Sequence, residues 1–375
     1  MSIAHAATSQ SGGWRFALGG FDVHVPWNAL IGIGIIAALW FPEFAASASG
    51  LGQIGLAVAF GVLLMVSILL HELAHAVTAR LFGYRVTGIT LWAMGGFTTF
   101  RTTRDHTPAR EAAVAAAGPV ATLAVAALGW AGIVVTPPGV INDLLLALTS
   151  ANLLVGIFNL LPGSPLDGGA IVRAIVWAVT GSERTGSVVA AWIGRGLAVL
   201  IALSPFLLAL SQGRQPSLPL AAVGIILGVL LWTGATAALR AAQASDRLGG
   251  VSARQLARQV AMLDSAASVA DALAIATPDR HVVVLGEQGA PVGVVATAAA
   301  EAVPEQARDT TLARAVCTTI TSLPEVPPDA TALDVLEVME DSQARFVIVA
   351  DHTDPDRPSL VGLIDSDQVF VSEGP

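Results

Sequence analysis

The feature that most constrains the fold of this chain is a series of long apolar segments in its first 241 residues. A helix needs about 20 apolar residues to cross the hydrocarbon core of a bilayer. Because only 13% of the 375 residues are charged, about half the share usual in soluble domains, a wholly soluble protein is excluded. The sequence predicts a polytopic α-helical membrane protein with about six transmembrane helices, near residues 27–41, 54–80, 111–135, 144–161, 187–210 and 218–239.

Two parts of this assignment stay open. The first segment is short, although Trp27 and Trp40 flank it as interfacial anchors do. Residues 168–179 are apolar but shorter than a span. They could form a seventh crossing, a re-entrant piece or the end of the fourth helix.

The charge balance changes after residue 241. Residues 1–241 contain eleven Arg and eight acidic residues, whereas residues 242–375 contain eight Arg and twenty acidic residues. We therefore predict a membrane domain at 1–241 and a separate acidic α+β domain at 242–375. The acidic surplus argues against a nucleic-acid partner, because phosphate binding needs clustered cations. Arginines are concentrated in alternate loops of the membrane domain, so the positive-inside rule predicts a cell-membrane protein with both termini in the cytoplasm.

The sharpest motif is H-E-L-A-H at 71–75, at the end of an uncharged apolar run. On a helix, His71 and His75 lie one turn apart on one face, where they can bind one Zn²⁺ with Glu72 beside them as general base. A charge at the centre of a membrane helix costs about 2.5–3.5 kcal/mol, so a Glu between two His needs a function there. The alternative is a polar cluster that is satisfied between helices.

Asp167 is the best candidate for a third metal ligand. It stands in N-L-L-P-G-S-P-L-D-G-G at 159–169, where prolines and glycines interrupt the helix at membrane depth. Such a break is tolerated only where it is buried in protein or lines a cavity. The alternative is that Asp167 caps a helix that starts at Gly168. Between the second and third spans, residues 84–101 surround a Gly-Gly pair with β-branched and aromatic residues, which favours a small membrane-associated β-hairpin over an ordinary loop.

The acidic domain contains an internal repeat. S-V-A-D-A-L at 268–273 matches T-A-L-D-V-L at 331–336, and P-V-G-V-V at 291–295 matches L-V-G-L-I at 360–364. A period of about 65 residues with helix–strand–strand content indicates a duplication. We place the repeats at about 246–303 and 304–375.

The H-E-x-x-H helix, followed about ninety residues later by the broken segment with Asp167, resembles the site-2 protease family of intramembrane zinc metalloproteases. A-A-A-G-P at 115–119 and V-H-V-P-W at 23–27 agree with this resemblance. It implies an endopeptidase that cleaves in or near a transmembrane segment of a membrane-protein substrate. In this family the substrate is an anti-sigma factor or a similar membrane-bound regulator, within the lipid bilayer.

The resemblance also implies the roles of individual residues. It implies that His71, His75 and Asp167 bind one Zn²⁺ per chain, that Glu72 activates water, and that Asn159 lies near the scissile carbonyl. It further implies that the hairpin at 94–97 offers an edge to an extended substrate, and the substrate-binding residues would then be Gly95, Gly96 and Phe97. Many relatives carry Asn three residues after the Gly-Pro pair, whereas this chain has Thr122, which weakens any role for that position.

The acidic domain resembles a tandem pair of cystathionine-β-synthase-type (CBS) domains, which in many proteins bind adenine nucleotides. In such modules a Thr or Ser is usually followed three residues later by an Asp that holds the ribose of the nucleotide. At these two positions the first repeat has Ala296 and Ala299, and the second repeat has Asp365 and Gln368. An adenine nucleotide is therefore expected to bind weakly or not at all. A dimerising or autoinhibitory module, with a homodimer through these domains, is an equal alternative. We predict that the pair gates access to the membrane site.

A CBS-regulated membrane transporter or channel is the alternative function, because intramembrane ionisable residues also mark ion paths. Transporters often contain paired broken helices, and this sequence has one such break, at 162–169. A catalytically inactive relative is the third possibility, against which the intact His-Glu-His-Asp set argues.

Overall fold

The computed structural model describes residues 12–93, 95–101, 106–286, 289–320, 322–352 and 359–367. It divides into two units, Met1–Ala242 and Gln243–Pro375. Met94 of the predicted hairpin edge and Gln368 of the second repeat lie outside the described residues. Each unit is described by itself.

The membrane unit is built of apolar helices. Within the described residues, five of them are long and apolar enough to cross a membrane, and they correspond to predicted spans two to six. The predicted first span is shorter, with 13 helical residues, and residues 168–179 belong to a separate 14-residue helix. The prediction of a polytopic helical membrane region is therefore confirmed. The helices are α1 (Asn28–Trp40), α2 (Leu51–Leu81), α3 (Pro108–Val135), α4 (Val140–Asn159), α5 (Asp167–Thr180), α6 (Glu183–Ser211) and α7 (Leu218–Gly249).

Small residues let the central helices approach closely. A methyl group at Gly156 of α4 would lie 2.8 Å from the Cδ2 atom of Leu123 on α3. Gly129 of α3 likewise faces the hydroxyl of Thr149 on α4. Helices inside a bilayer gain little from apolar contact alone, so such close backbone packing supplies much of their association.

A four-stranded sheet accompanies the helices. The predicted hairpin is present, with β3 (Arg85–Trp92) and β4 (Gly95–Arg101) antiparallel and Thr90 opposite Phe97. The sheet is larger than predicted, because β1 (Gly13–Leu18) and β2 (Phe21–Pro26) extend it in the order β1-β2-β3-β4. Strand β2 pairs in parallel with β3, and its buried residues pack with the apolar face of α2.

The chain between α4 and α5 is not helical, as the prolines at 162 and 165 predict. This break is packed tightly against its surroundings. The amide of Ser164 donates to the carbonyl of Ala190 on α6 at 3.1 Å, and a Cβ at Gly163 would lie 2.6 Å from the Cα atom of Gly194. Gly169 in the first turn of α5 lies against the backbone of Gly163. This packing fixes the start of α5 and therefore the position of Asp167, which is its first residue.

The C-terminal unit contains two β-sheets with helices, as the internal repeat predicts. The strands are β5 (Gln259–Leu263), β6 (Arg280–Leu285), β7 (Pro291–Val295), β8 (Cys317–Thr319), β9 (Glu325–Val326), β10 (Phe346–Asp351) and β11 (Ser359–Asp365). The order in the first sheet is β5-β6-β7-β8, and in the second it is β11-β10-β9. The longer helices are α9 (Val269–Ile275) and α12 (Ala332–Ser342), and α8, α10 and α11 are single turns at Ala253–Leu256, Thr297–Glu301 and Glu305–Arg308.

The two repeats exchange short segments. Strand β8, which lies after the sequence boundary between the repeats, pairs with β7 of the first sheet. Reciprocally, Arg258 from before the first repeat helix exchanges backbone hydrogen bonds with Leu363 of β11 at 2.9 and 3.0 Å. Glycines at equivalent repeat positions allow both contacts, since a Cβ at Gly293 would lie 2.7 Å from that of Cys317, and one at Gly362 would overlap the Arg258 carbonyl. Each sheet is thus completed by a segment from outside its own repeat.

We predict that Gly362→Val destabilises the C-terminal unit by about 1–3 kcal/mol, because the added side chain cannot fit against the Arg258 backbone. Thermal unfolding of the full chain in detergent measures the change, with protease cleavage of the C-terminal unit as the signal of its unfolding. Ala299→Val is the control, because Ala299 is exposed in the same unit. Equal unfolding temperatures for the two variants would contradict the account of the exchanged segments.

Candidate metal centre

Helix α2 places three of the predicted site residues together inside the membrane unit. His71, Glu72 and His75 are each exposed by only 6–7%. The Nε2 atoms of the two imidazoles lie 3.1 Å apart, as the i and i+4 spacing predicts. The two rings therefore point their Nε2 atoms at one place.

Asp167 reaches the same place from the start of α5. Its Oδ2 lies 3.1 Å from Nε2 of His71, and its Oδ1 lies 3.5 Å from Nε2 of His75. One donor atom from each of the three residues lies within 4.8 Å of the others, a spacing that could hold a metal ion. The alternative capping role is not observed, because the N-cap of α5 is Leu166 and no side chain caps it.

Hydrogen bonds at Nδ1 of each imidazole indicate which ring nitrogen carries the proton. The Nδ1 atom of His75 lies 2.7 Å from the carbonyl of Val114, which can only accept a proton. The Thr122 hydroxyl donates to the carbonyl of Gly118 at 3.2 Å, so its oxygen accepts from Nδ1 of His71 at 2.8 Å. In the neutral form of both rings these contacts place the proton on Nδ1, and the two Nε2 lone pairs then face each other.

This arrangement fits a cation. Two lone pairs and a carboxylate face one point, and Oδ2 of Asp167 is buried with no hydrogen-bond partner among the described residues. In metal sites, ligating imidazoles commonly donate their other N–H to a carbonyl or another acceptor, as both rings do here. Two nitrogens and one carboxylate oxygen form a usual donor set for catalytic Zn²⁺, which takes three protein ligands.

Gly118 makes room for the two rings. A Cβ on this residue would overlap the Nε2 atoms of both His71 and His75. Helix α3 can therefore pass directly beside the imidazoles, which brings Val114 and Thr122 within hydrogen-bond distance of them. A side chain at position 118 would fill the space that the metal ion needs.

Strand β4 contacts Glu72, the candidate base. The Thr98 hydroxyl lies 2.8 Å from Oε2 of Glu72 and 3.0 Å from its backbone carbonyl. A Cβ at Gly96 would lie 2.6 Å from the Cγ atom of Glu72, so the strand packs closely on this side chain. The contact with Thr98 holds one carboxylate oxygen and leaves Oε1 as an acceptor.

The remaining candidates belong to β4 and to the end of α4. Gly95 and Phe97 belong to β4 beside Gly96, and β4 is an edge strand of the sheet in the part of the chain that the structure describes. Asn159 is the last residue of α4, directly before the break, and it is half-buried. Its side chain has no hydrogen bond to another described residue.

A second group of donor atoms, from His106, Glu111 and Glu183, also lies within 4.8 Å. A cation is already present there, because the Arg173 guanidinium forms an ion pair with Oε1 of Glu111. The positive charge of Arg173 opposes the binding of a metal ion at this second group.

Three groups at the centre were not predicted from the sequence: Thr98, the Val114 carbonyl and Thr122. The sequence argues against a role for position 122, where Thr replaces Asn, but the Thr122 hydroxyl forms a hydrogen bond with His71. A Thr four residues after a helical glycine was the available signal, since a hydroxyl can reach the carbonyl of residue i−4. Nothing local in the sequence indicates the contact of Thr98.

The fold and the site define a polytopic membrane protein with a buried His-His-Asp donor set. The family description Peptidase family M50 matches residues 59–142 and 138–203, which include all three donors. The membrane unit is therefore similar to peptidase family M50 over these residues, and the predicted resemblance to a site-2 protease-type region is confirmed.

Individual relatives agree with this assignment. A protein of Mycobacterium tuberculosis named zinc metalloprotease Rip3 is 38% identical over 200 residues, which cover 50% of this chain and 49% of Rip3. A Synechocystis protein, also named a zinc metalloprotease, is 30% identical over 256 residues, covering 65% of this chain and 64% of that protein. The match thus spans about half the length of Rip3.

Two solved structures are also similar to this chain. The site-2 protease from Methanocaldococcus jannaschii is 23% identical with a TM-score of 0.44, covering 61% of this chain and 96% of that one. A hemolysin-like protein of Oenococcus oeni that contains a CBS domain is 19% identical with a TM-score of 0.25, covering 34% of this chain and 93% of that one.

We predict that Thr122→Val weakens Zn²⁺ binding by about tenfold to a hundredfold, because it removes the hydroxyl that accepts from His71. Chelator competition on the purified full chain measures this affinity. Thr149→Val is the matched control: the Thr149 hydroxyl is also buried between helices, but it has no hydrogen-bond partner among the described residues. Equal losses in both variants would mean that the contact with His71 does not matter.

Proposed function

We propose that this chain is an intramembrane zinc endopeptidase that hydrolyses a peptide bond in or near a transmembrane segment of another membrane protein. The observation that carries the proposal is the convergence of the His71, His75 and Asp167 donor atoms beside the buried carboxylate of Glu72. The match of the membrane unit to peptidase family M50 supports it.

Nε2 of His71, Nε2 of His75 and the carboxylate of Asp167 would hold the zinc ion. When bound, zinc acts as a Lewis acid that polarises the scissile carbonyl and makes the attacking water more acidic. Glu72 accepts the proton of that water at Oε1, since Thr98 holds Oε2, and then delivers the proton to the leaving amine. Asn159, at the break that leads to Asp167, is the proposed donor to the developing oxyanion.

The substrate would bind as an extended strand. A helical segment keeps its carbonyls in its own hydrogen bonds, so it must unwind before cleavage. Strand β4 offers Gly95, Gly96 and Phe97 at a sheet edge, and Gly96 lies against the base. Addition of the substrate to this edge would place its backbone beside Glu72 through main-chain hydrogen bonds.

We further propose that both termini face the cytoplasm. The arginines between the second and third spans, such as Arg80, Arg85 and Arg101, favour that side under the positive-inside rule. The substrate then belongs to the class of membrane-bound regulators, such as anti-sigma factors, that are released into the cytoplasm by cleavage.

The acidic C-terminal unit is proposed to gate access. Its surplus of acidic residues and the arginine-rich loops would lie on the same side of the membrane, which gives an electrostatic reason for association. Its two α+β repeats agree with the CBS resemblance. Ala296 and Ala299 lack the usual ribose-binding groups, so assembly or gating without an adenine nucleotide is the expected role, and a homodimer is one form that it could take.

The central test compares wild type with Glu72→Gln and His75→Ala. We expect stoichiometric zinc in wild type and in Glu72→Gln, cleavage of a transmembrane substrate by wild type alone, and loss of both zinc and cleavage in His75→Ala. Metal analysis and a peptidase assay on purified protein give the two readouts. Zinc without any proteolysis in wild type would favour a transporter or an inactive relative, and loss of zinc in Glu72→Gln would contradict the separation of base from ligands.

Deletion of residues 246–375 tests the gating proposal. We expect the membrane unit to keep its zinc, because every proposed ligand lies before residue 168, but the cleavage rate or the choice of substrate should change. Steady-state cleavage of two different transmembrane substrates measures both effects. Unchanged cleavage of both substrates would restrict the C-terminal unit to assembly or stability.

A further inference from the structure

An ion pair with a buried carboxylate joins α3 to α5 outside the set of candidate ligands. Glu111 lies in the first turn of α3 and is only 6% exposed, and Arg173 on α5, whose side chain is 36% exposed, donates to its Oε1 from Nε. A buried carboxylate is unfavourable unless it is paired and hydrogen-bonded. Removing Arg173 would leave the buried Glu111 carboxylate without its charge partner, so the pair favours one relative position of the two helices.

Both ends of this ion pair are close to the metal centre along their helices. Glu111 precedes Val114, whose carbonyl bonds His75, by one helical turn. Arg173 follows Asp167 by six residues on α5, which corresponds to about 9 Å of helix. The ion pair therefore links the helix that orients the imidazoles to the helix that supplies the third donor.

The second oxygen of Glu111 faces His106. Its Oε2 lies 3.3 Å from Nε2 of His106 but has no hydrogen-bond partner among the described residues, and Nδ1 of His106 lies 2.8 Å from the hydroxyl of Tyr84. Burial raises the pKa of Tyr84, so its hydroxyl stays protonated and can donate to His106. The Tyr84 ring stacks on Phe100 of β4 with centroids 5.9 Å apart. Glu111 thus pairs with Arg173 on one side and faces, on the other, a His106–Tyr84 pair that packs on the sheet that contacts Glu72.

We propose that Glu111 and Arg173 are positioning residues, whose ion pair fixes α5 so that the Asp167 carboxylate meets His71 and His75. The inference rests on the proposed function, because it takes Asp167 as a zinc ligand.

The ion pair acts on a helix that begins directly after a non-helical break. Glycines pack α5 at two places: Gly169 lies against the backbone of Gly163, and Gly186 of α6 lies against the backbone carbonyl of Arg173. The Arg173 side chain adds an ionic contact to α3, the helix that orients the imidazoles. Loss of the ion pair would allow α5 to shift relative to α3, and a displacement of about 1 Å is enough to impair a site that must be held within roughly 0.5 Å.

The test uses the full chain in detergent, with wild type, Glu111→Gln and Asp143→Asn. Asp143→Asn is the matched control: the same carboxylate-to-amide change is made at the first turn of α4, where Asp143 accepts from Ser47 at 2.5 Å. We expect Glu111→Gln to weaken zinc binding by about tenfold to a hundredfold in chelator competition. We also expect it to alter the visible spectrum of the Co²⁺-substituted protein, and Asp143→Asn to change neither readout.

A double-mutant cycle tests whether the two residues act as a pair. We expect Arg173→Gln to weaken zinc binding like Glu111→Gln, and the double variant to lose no more than either single variant, because all three remove one interaction. Should Glu111→Gln not fold, Arg173→Lys keeps the charge but loses the Nε contact, and it should show the same loss of affinity and the same spectral change.

Unchanged zinc affinity and an unchanged Co²⁺ spectrum, even with a lower unfolding temperature, would overturn the inference and leave the pair a structural role only. Fully additive losses in the double variant would overturn it as well. Failure of the proposed function is a separate result: wild type would then bind no zinc, or Asp167→Ala would bind it as tightly as wild type.

Discussion

The structure of the membrane unit depends on one electrostatic constraint: three electron-pair donors converge on a single point at membrane depth. Two Nε2 lone pairs 3.1 Å apart and a carboxylate repel each other unless a metal ion or a proton lies between them. The surrounding features follow from this constraint. Gly118 leaves the space, Thr122 and the Val114 carbonyl fix the ring tautomers, and the break before α5 lets a carboxylate enter from a second direction.

The donor set was predictable from the sequence because its spacing maps directly onto local geometry. Two histidines four residues apart on a helix must share a face, and Asp167 at a break in an apolar segment needs a partner. The contact of Thr98 with Glu72 was not predictable, because it joins a strand to a helix across 26 residues. The sequence also does not indicate the ion pair of Glu111 with Arg173, because it joins two helices across 62 residues.

The sheets show the same limit. The β3–β4 hairpin was predicted because its pairing is local, whereas the parallel pairing of Val23 with Ile89 depends on how α1 and α2 return the chain. In the C-terminal unit the duplication was visible, but the exchange of segments between the sheets was not. Gly293 and Gly362, which the sequence presents only as matching positions of the repeat, allow the close contacts of that exchange.

Zinc K-edge X-ray absorption of the purified full chain would show whether His71, His75 and Asp167 bind one zinc ion. We expect one zinc ion with two imidazole nitrogens and one carboxylate oxygen at about 2.0–2.2 Å, and no sulfur ligand. His71→Ala should remove one imidazole from the scattering. A sulfur ligand, a zinc environment that His71→Ala leaves unchanged, or a protein that binds no zinc would show that these three residues do not form a zinc site.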